Sequence, residues 1–179
     1  NRLLEKHITD AIDETGNIRD NATKELQRIR ADIFETSAKL RNRLQKILAK
    51  LGEDDLLQEE YVTQREGRFV LPLKVESKRA IPGLIHGVSS SGSTVFLEPM
   101  ETFEMNNDLS LLHSEEQREM VRILSTLTGE IGGVAYDIER SLSTLTLLDT
   151  IHAKAQYAIQ NGGIKPRIVD EPLVELRNI

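Results

Sequence analysis

Apolar residues recur along the first part of the chain at helical intervals. Leu3, Leu4, Ile8, Ala11 and Ile12 form a short set, and a longer one runs Leu26, Ile29, Ile33, Leu40, Leu44, Ile47 and Leu51, in steps of three, four and seven. Such steps place side chains on one face of an α-helix. The pattern predicts a short helix followed by a long one, with Asp20 placed to cap the second and Gly52 to stop it. The long stripe is narrow, as in a coiled-coil seam. Its phase slips near Ser37, because a register set by Leu26 and Ile29 points to Arg43 where Leu44 should stand, as a stutter would produce. Since helical spacing is present from the third residue, the chain is expected to begin in the middle of a structure.

A second long stripe follows Pro99: Leu109, Leu112, Met120, Ile123, Leu127, Ile131, Val134, Ile138, Leu142 and Leu145. It predicts a helix of about ten turns. Gly129, Gly132 and Gly133 weaken its middle by about 1 kcal/mol each relative to alanine, and mark either a bend or a close approach of another helix.

Between the stripes the period changes. Short runs of β-branched and aromatic residues at Tyr61–Gln64, Arg68–Val75, Leu84–Val88 and Thr94–Leu97 are punctuated by Gly67, Pro72, Pro82, Gly83, Gly87, Gly92 and Pro99. Three or four short strands are expected, with Ser89–Ser93 as a tight connection. The fold class is thus mainly α with a small β subdomain (α+β): two antiparallel helices flanking an inserted β module, a rod with a head. Beyond Gly162 and Gly163 the helical period is lost, and the tail is expected to form two short extended pieces.

Composition narrows the functional classes. The 179 residues, 39% of them hydrophobic, suffice for one modest core or an extended helical pair, and are too few for two unrelated full-sized domains. Four Phe, three Tyr and no Trp favour aliphatic helix packing. Without cysteine there is neither a disulfide nor a thiolate metal site. No apolar run approaches the roughly 20 residues of a membrane span. His7, His86, His113 and His152 are widely separated, and none on a predicted helix has a second histidine one turn away, so a metal site is not expected. No phosphate-cradling, zinc-hydrolase or nucleophile-elbow motif is present.

Charge is more informative. The chain carries a net −6, yet residues 61–95 hold Arg65, Arg68, Lys74, Lys78 and Arg79 against Glu66 and Glu76 only. Cations beside small hydroxyl residues, here Ser89, Ser91 and Thr94, suit phosphate: the cations attract it, and hydroxyls and glycine amides position it. A solvated hairpin surface with ordinary lysines has the same composition. The Ser-rich turn resembles a phosphate loop only superficially, because no lysine follows it and the next residues read as a strand. Glu115, Glu116 and Glu119, spaced with Arg118 and Arg122, read as a charge-paired helix face.

The strings ITDAIDETGNIRDNATKELQRIR, VTQREGRFVLPLKVESKRAIPGLIHGVSSSGSTVFLEP and MNNDLSLLHSEEQREMVRIL closely resemble the second bacterial branch of the MutS family, here MutS-two. The likeness covers nearly the whole chain. Its central motif falls on Arg65, Gly67, Arg68, Phe69, Pro72 and Lys74, then Gly83, His86, Ser89, Ser91, Gly92, Thr94, Phe96, Glu98 and Pro99, then Asn106 and Asn107. The resemblance implies core and lever helices with a clamp-like insert, preceding an ATPase domain and an Smr nuclease domain that this chain lacks. It divides the chain into core and ascending lever helices over 1–60, a β-rich head over 61–99, descending helices over 100–161 and a linker over 162–179. The segment itself is expected to be non-catalytic and without cofactor, with ATP and Mg belonging to the ATPase domain.

The resemblance also implies a cytoplasmic bacterial homodimer, with no membrane partner, whose heads hold branched DNA and suppress homologous recombination. The expected nucleic-acid-binding residues are Arg65, Arg68, Lys74, Lys78, Arg79, His86, Ser89, Ser91 and Thr94. Two alternatives stand beside it: sensing and splitting of collided ribosomes through the same head, with rRNA as target, and a purely structural brace or dimer contact.

Overall fold

The computed structural model describes residues 1–53, 56–57, 59, 61–165, 168, 170, 172 and 174. The chain divides into two compact units, Asn1–Gly129 and Glu130–Ile179. The first contains helix α1 (Arg2–Ala11), helix α2 (Lys24–Glu53), strands β1 (Thr63–Arg65), β2 (Arg68–Lys74), β3 (Gly83–Val88) and β4 (Thr94–Pro99), and the start of helix α3 (Phe103–Gln160). The observed fold is the expected α+β class, and its strand positions follow the four apolar runs closely.

Helix α2 starts at Lys24 because Thr23, not Asp20, caps it: the Thr23 hydroxyl accepts the Leu26 N–H at 3.0 Å. Asp20 instead forms an ion pair with Arg30. Gly52 lies inside the last turn rather than beyond it. Leu26, Ile29, Leu40, Leu44 and Leu51 are buried, with Ile33, Thr36, Ser37 and Ile47 partly so, which places the expected phase slip between Ile33 and Leu40.

This face serves two cores. Leu26 joins Ala11, Ile123 and Leu127, where α1, α2 and α3 meet, while Leu40, Leu44 and Leu51 join Phe69, Leu71, Leu73, Val95, Leu97 and Leu109 beneath the sheet. Helices α2 and α3 run antiparallel within this unit: Thr23 donates to Glu119, Arg30 pairs with Glu116, and Arg43 pairs with Glu101.

The sheet is antiparallel throughout, in the order β1-β2-β4-β3. Leu71 faces Leu97 and Leu73 faces Val95, so alternate residues of β2 and β4 present one apolar layer to α2. The β1–β2 connection has two residues, Glu66 at φ +50° and Gly67 at φ +79°. Two consecutive positive φ angles match the twist of a tight hairpin, and only the glycine adopts one without steric cost. Gly83 is needed for a different reason: a Cβ there would lie 2.4 Å from the Glu98 carbonyl oxygen, so a side chain would push β3 off β4.

In the second unit, Glu130–Gln160 of α3 remain helical. The helix ends as the paired glycines predict. Gly162 takes φ +62°, and the N–H groups of Gly162 and Gly163 donate to Ile159 and Ala158, a Schellman closure. The close helix approach considered at Gly129, Gly132 and Gly133 is absent: a Cβ at any of them meets no described atom within 4 Å. Nor do they interrupt the α-helix. The two extended pieces expected after Gly163 fall largely on residues outside the described set.

Candidate nucleic-acid interface

The head is organised around one carboxylate. Glu98 projects from β4 on the side opposite the α2 layer and is 0% exposed. Arg68 donates to it through Nε and Nη2, both at 2.7 Å, from the neighbouring strand β2. His86 Nε2 of β3 lies 2.6 Å away and Asn106 Nδ2 of α3 donates at 2.8 Å. A carboxylate accepts only, so the imidazole proton sits on Nε2. Burial alone would raise the Glu98 pKa, but hydrogen bonds from Arg68, His86 and Asn106 outweigh it and hold the carboxyl below its usual range.

The same cluster ties the sheet to α3. Asn106 accepts from the Phe69 N–H at 2.9 Å and donates to the Phe69 carbonyl at 3.1 Å, acting toward β2 as another strand would. Arg68 also donates to Asn107 at 2.9 Å and lies over the Phe103 ring. The motif positions Arg68, His86, Glu98, Asn106 and Asn107 thus converge on one joint. Its carboxylate is saturated with donors, which suits it to hold geometry rather than to move protons.

The remaining expected site residues lie elsewhere in the head. Arg65 is exposed on β1, its guanidinium 3.9 Å from the Phe96 ring centroid. Lys78 and Arg79 are exposed in the connection between β2 and β3. Lys74 is half-buried at the end of β2, where its N–H donates to the Leu56 carbonyl. Ser89, Ser91 and Ser93 form a chain of hydroxyls at 3.1 and 2.8 Å, and Ser89 Oγ accepts from the N–H of buried Thr94. That turn is closed by its own groups and runs into a strand, so it does not fit a nucleotide phosphate, which needs free N–H groups at a helix start.

Two features escape a reading of the sequence by charge alone. Glu98, Asn106 and Asn107 stand in the motif, yet nothing local marks them as partners of Arg68; the one signal is a charged residue inside the otherwise uncharged run Thr94–Pro99. The second is the C-terminal part of α2: residues 36–52 contain Lys39, Arg41, Arg43, Lys46 and Lys50 and no acid. Of these, Lys39 pairs with Glu35 and Arg43 with Glu101, while Arg41, Lys46 and Lys50 are exposed with no carboxylate partner among the described residues. The acid-free helical run is the signal that marks them.

An α+β module in which two antiparallel helices carry a sheet locked by a buried carboxylate, with cations facing outward, is the class that this geometry defines. Protein-family models give no match. Among curated proteins the chain is 40% identical over 165 residues to Endonuclease MutS2 of Finegoldia magna, covering 90% of this chain and 20% of that protein. It is 37% identical over 173 residues to Endonuclease MutS2 of Symbiobacterium thermophilum, and 38% over 176 residues to that of Brevibacillus brevis, covering 97% and 98% of this chain and 22% of each relative. The chain is similar to MutS2 proteins over nearly its whole length, as a segment of such a protein would be, and it spans about a fifth of the length of these relatives. Among the described residues no helix is long and apolar enough to cross a membrane.

Proposed function

We propose that this segment is the non-catalytic arm and head of a MutS2-type ATPase and nuclease, and that the head grips the sugar–phosphate backbone of branched DNA. One observation carries the reading: the head's internal acid is neutralised within the joint, while Arg65, Lys78 and Arg79, with Arg41, Lys46 and Lys50 on α2, face outward without carboxylate partners among the described residues. Such a surface binds phosphate with little regard to sequence. Arg68 and His86 serve it indirectly, by fixing the strands that present the outer cations.

On this reading the parent protein works as a cytoplasmic homodimer. ATP and Mg are bound outside this segment, and holding branched intermediates suppresses homologous recombination. The test is anisotropy of a labelled four-way junction titrated with the chain at two salt concentrations. Affinity should fall steeply with salt, and by tenfold or more in a variant carrying Arg65→Glu, Lys78→Glu and Arg79→Glu. Salt-independent binding, or binding indifferent to these reversals, refutes the phosphate contact. Pelleting with ribosomes in parallel discriminates the target: ribosome binding that junction DNA fails to compete away assigns the head to rRNA, and no binding to either leaves it a brace.

A further inference from the structure

A cleft of about 520 Å³ opens between α2 and the segment entering β1. Arg41, Gln45 and Leu48 line it from one face of α2, Tyr61 and Gln64 line it from the other side, and Phe69 lies among its lining residues. The Arg41 guanidinium lies over the Phe69 ring, 5.1 Å from its centroid, so the ring backs it from one side. Arg41 is exposed and has no carboxylate partner among the described residues. Tyr61 is 54% exposed, which leaves its ring open to solvent, and the Glu59 carboxylate beside it raises the pKa of its hydroxyl. Gln45 and Gln64, both exposed, add amide donors and acceptors.

We propose that this cleft receives an unpaired nucleotide of a nucleic-acid strand, stacked between the Tyr61 ring and the ring-backed Arg41 guanidinium, with Gln45 and Gln64 meeting the edge of the base. An aromatic ring and an arginine plane are the surfaces on which unstacked bases settle, and their preference for base identity is weak. Apolar side-chain pockets lack the cation, and a phosphate site would not need the flat ring. The inference rests on the reading of the head as a nucleic-acid contact, and adds that the strand beside a branch is held at an unpaired position. The outer cations hold backbone; the cleft holds a base.

The experiment titrates the chain with labelled oligothymidylate, oligouridylate, a fully paired duplex and a four-way junction without unpaired positions. Tyr61→Leu is expected to weaken single-strand binding about tenfold and to leave junction binding within about twofold, whereas Arg41→Ala, which also removes an outward cation, should weaken single-strand binding about tenfold and junction binding less. On single strands Arg41→Lys should resemble Arg41→Ala, because the charge remains and the plane does not. A strand containing 2-aminopurine should be quenched on binding, and Tyr61→Leu should remove the quenching. Both residues are exposed, so thermal midpoints should not move. Tighter binding of thymidylate assigns the occupant to DNA, and tighter binding of uridylate assigns it to RNA. The proposal is overturned if single strands do not bind while the junction does, or if Tyr61→Leu weakens both equally. Loss of junction binding alone, with Arg41-sensitive single-strand binding intact, would instead overturn the backbone grip.

Discussion

Arg68 and Arg65 stand three residues apart at the two sides of one hairpin turn, and the fold uses them in opposite ways. Arg68 turns inward, its side chain 19% exposed, and makes two hydrogen bonds to a carboxylate that water does not reach. Arg65 lies over the Phe96 ring and remains exposed. A count of charges treats them alike. Electrostatics does not: a charge held against a buried partner is part of the folding free energy, whereas a surface cation contributes little to stability and remains free to attract a ligand. The same division separates His86, on Glu98, from Lys78 and Arg79, in solvent. The motif's polar residues therefore fall into a joint and a rim.

The strongest way to break this division is to remove the joint's acid. Glu98→Ala leaves Arg68 partly buried without its partner and strands the Asn106 and His86 donors. Breaking a buried pair from one side costs about 3–5 kcal/mol, which urea denaturation of the chain would read as a lower midpoint. A loss below about 1 kcal/mol would mean that Arg68 relaxes to solvent and that the joint is not a joint. Arg68→Glu should be comparably damaging, since it sets two carboxylates together, and any loss of nucleic-acid binding in it would reflect lost folding.

Asn106→Ala sharpens the same point on a smaller scale. It removes three hydrogen bonds and leaves the Phe69 N–H buried without an acceptor, for an expected cost of about 2–3 kcal/mol. Hydrogen exchange should show the Phe69 amide losing protection more than amides of α2 do. Uniform loss across the unit would indicate that Asn106 supports the whole core rather than coupling β2 to α3.

The rim should behave in the reverse sense. The triple reversal at Arg65, Lys78 and Arg79 is expected to leave stability within about 0.5 kcal/mol, as exposed substitutions usually do. The dependence of binding on salt should flatten by about 0.9 logarithmic units for each phosphate that the variant no longer neutralises. A large loss of stability in this variant would merge rim and joint, and the comparison would fail.

How much of this could be read from the chain depends on the distance over which each interaction acts. The helices were legible because their signal is local: Leu26, Leu40, Leu44 and Leu51 repeat on one face whatever they pack against. The strands were legible from short apolar runs between turns. The joint was not, because its members come from β2, β3, β4 and α3, and Arg68 meets a carboxylate thirty residues away. Sequence shows that an arginine is present but not which acid it faces. The cap of α2 failed for a related reason, since Asp20 and Thr23 are both good caps and Arg30 claims the aspartate. The cleft beside β1 depends on Arg41 and Phe69 crossing between elements, and no periodicity announces that.

The smallest expected effect concerns a second carboxylate, Glu119, which tests whether partial burial suffices to make an ion pair structural. Its hydrogen bond from Arg122, the largest influence, and that from Thr23 together outweigh desolvation and lower its pKa from 4.5 to about 2. The folded state therefore binds this proton less readily than the unfolded chain. The pair's contribution is complete above about pH 5, declines as pH falls below 4.5, and is lost as pH falls through about 2. Arg122 is 60% exposed, so water screens the interaction, and a loss on the order of 1 kcal/mol is expected rather than the larger figure that the displacement alone implies. Glu119→Gln retains an acceptor for the Thr23 hydroxyl while removing the charge. Unfolding free energies of the two proteins should differ at neutral pH and converge as pH falls from 5 to 2. Glu98 titrates in the same direction in both, so it cancels in the difference. A constant difference across that range would show that Glu119 acts through packing and its bond to Thr23 alone, and the division between joint and rim would then need only two classes of charge, buried and free.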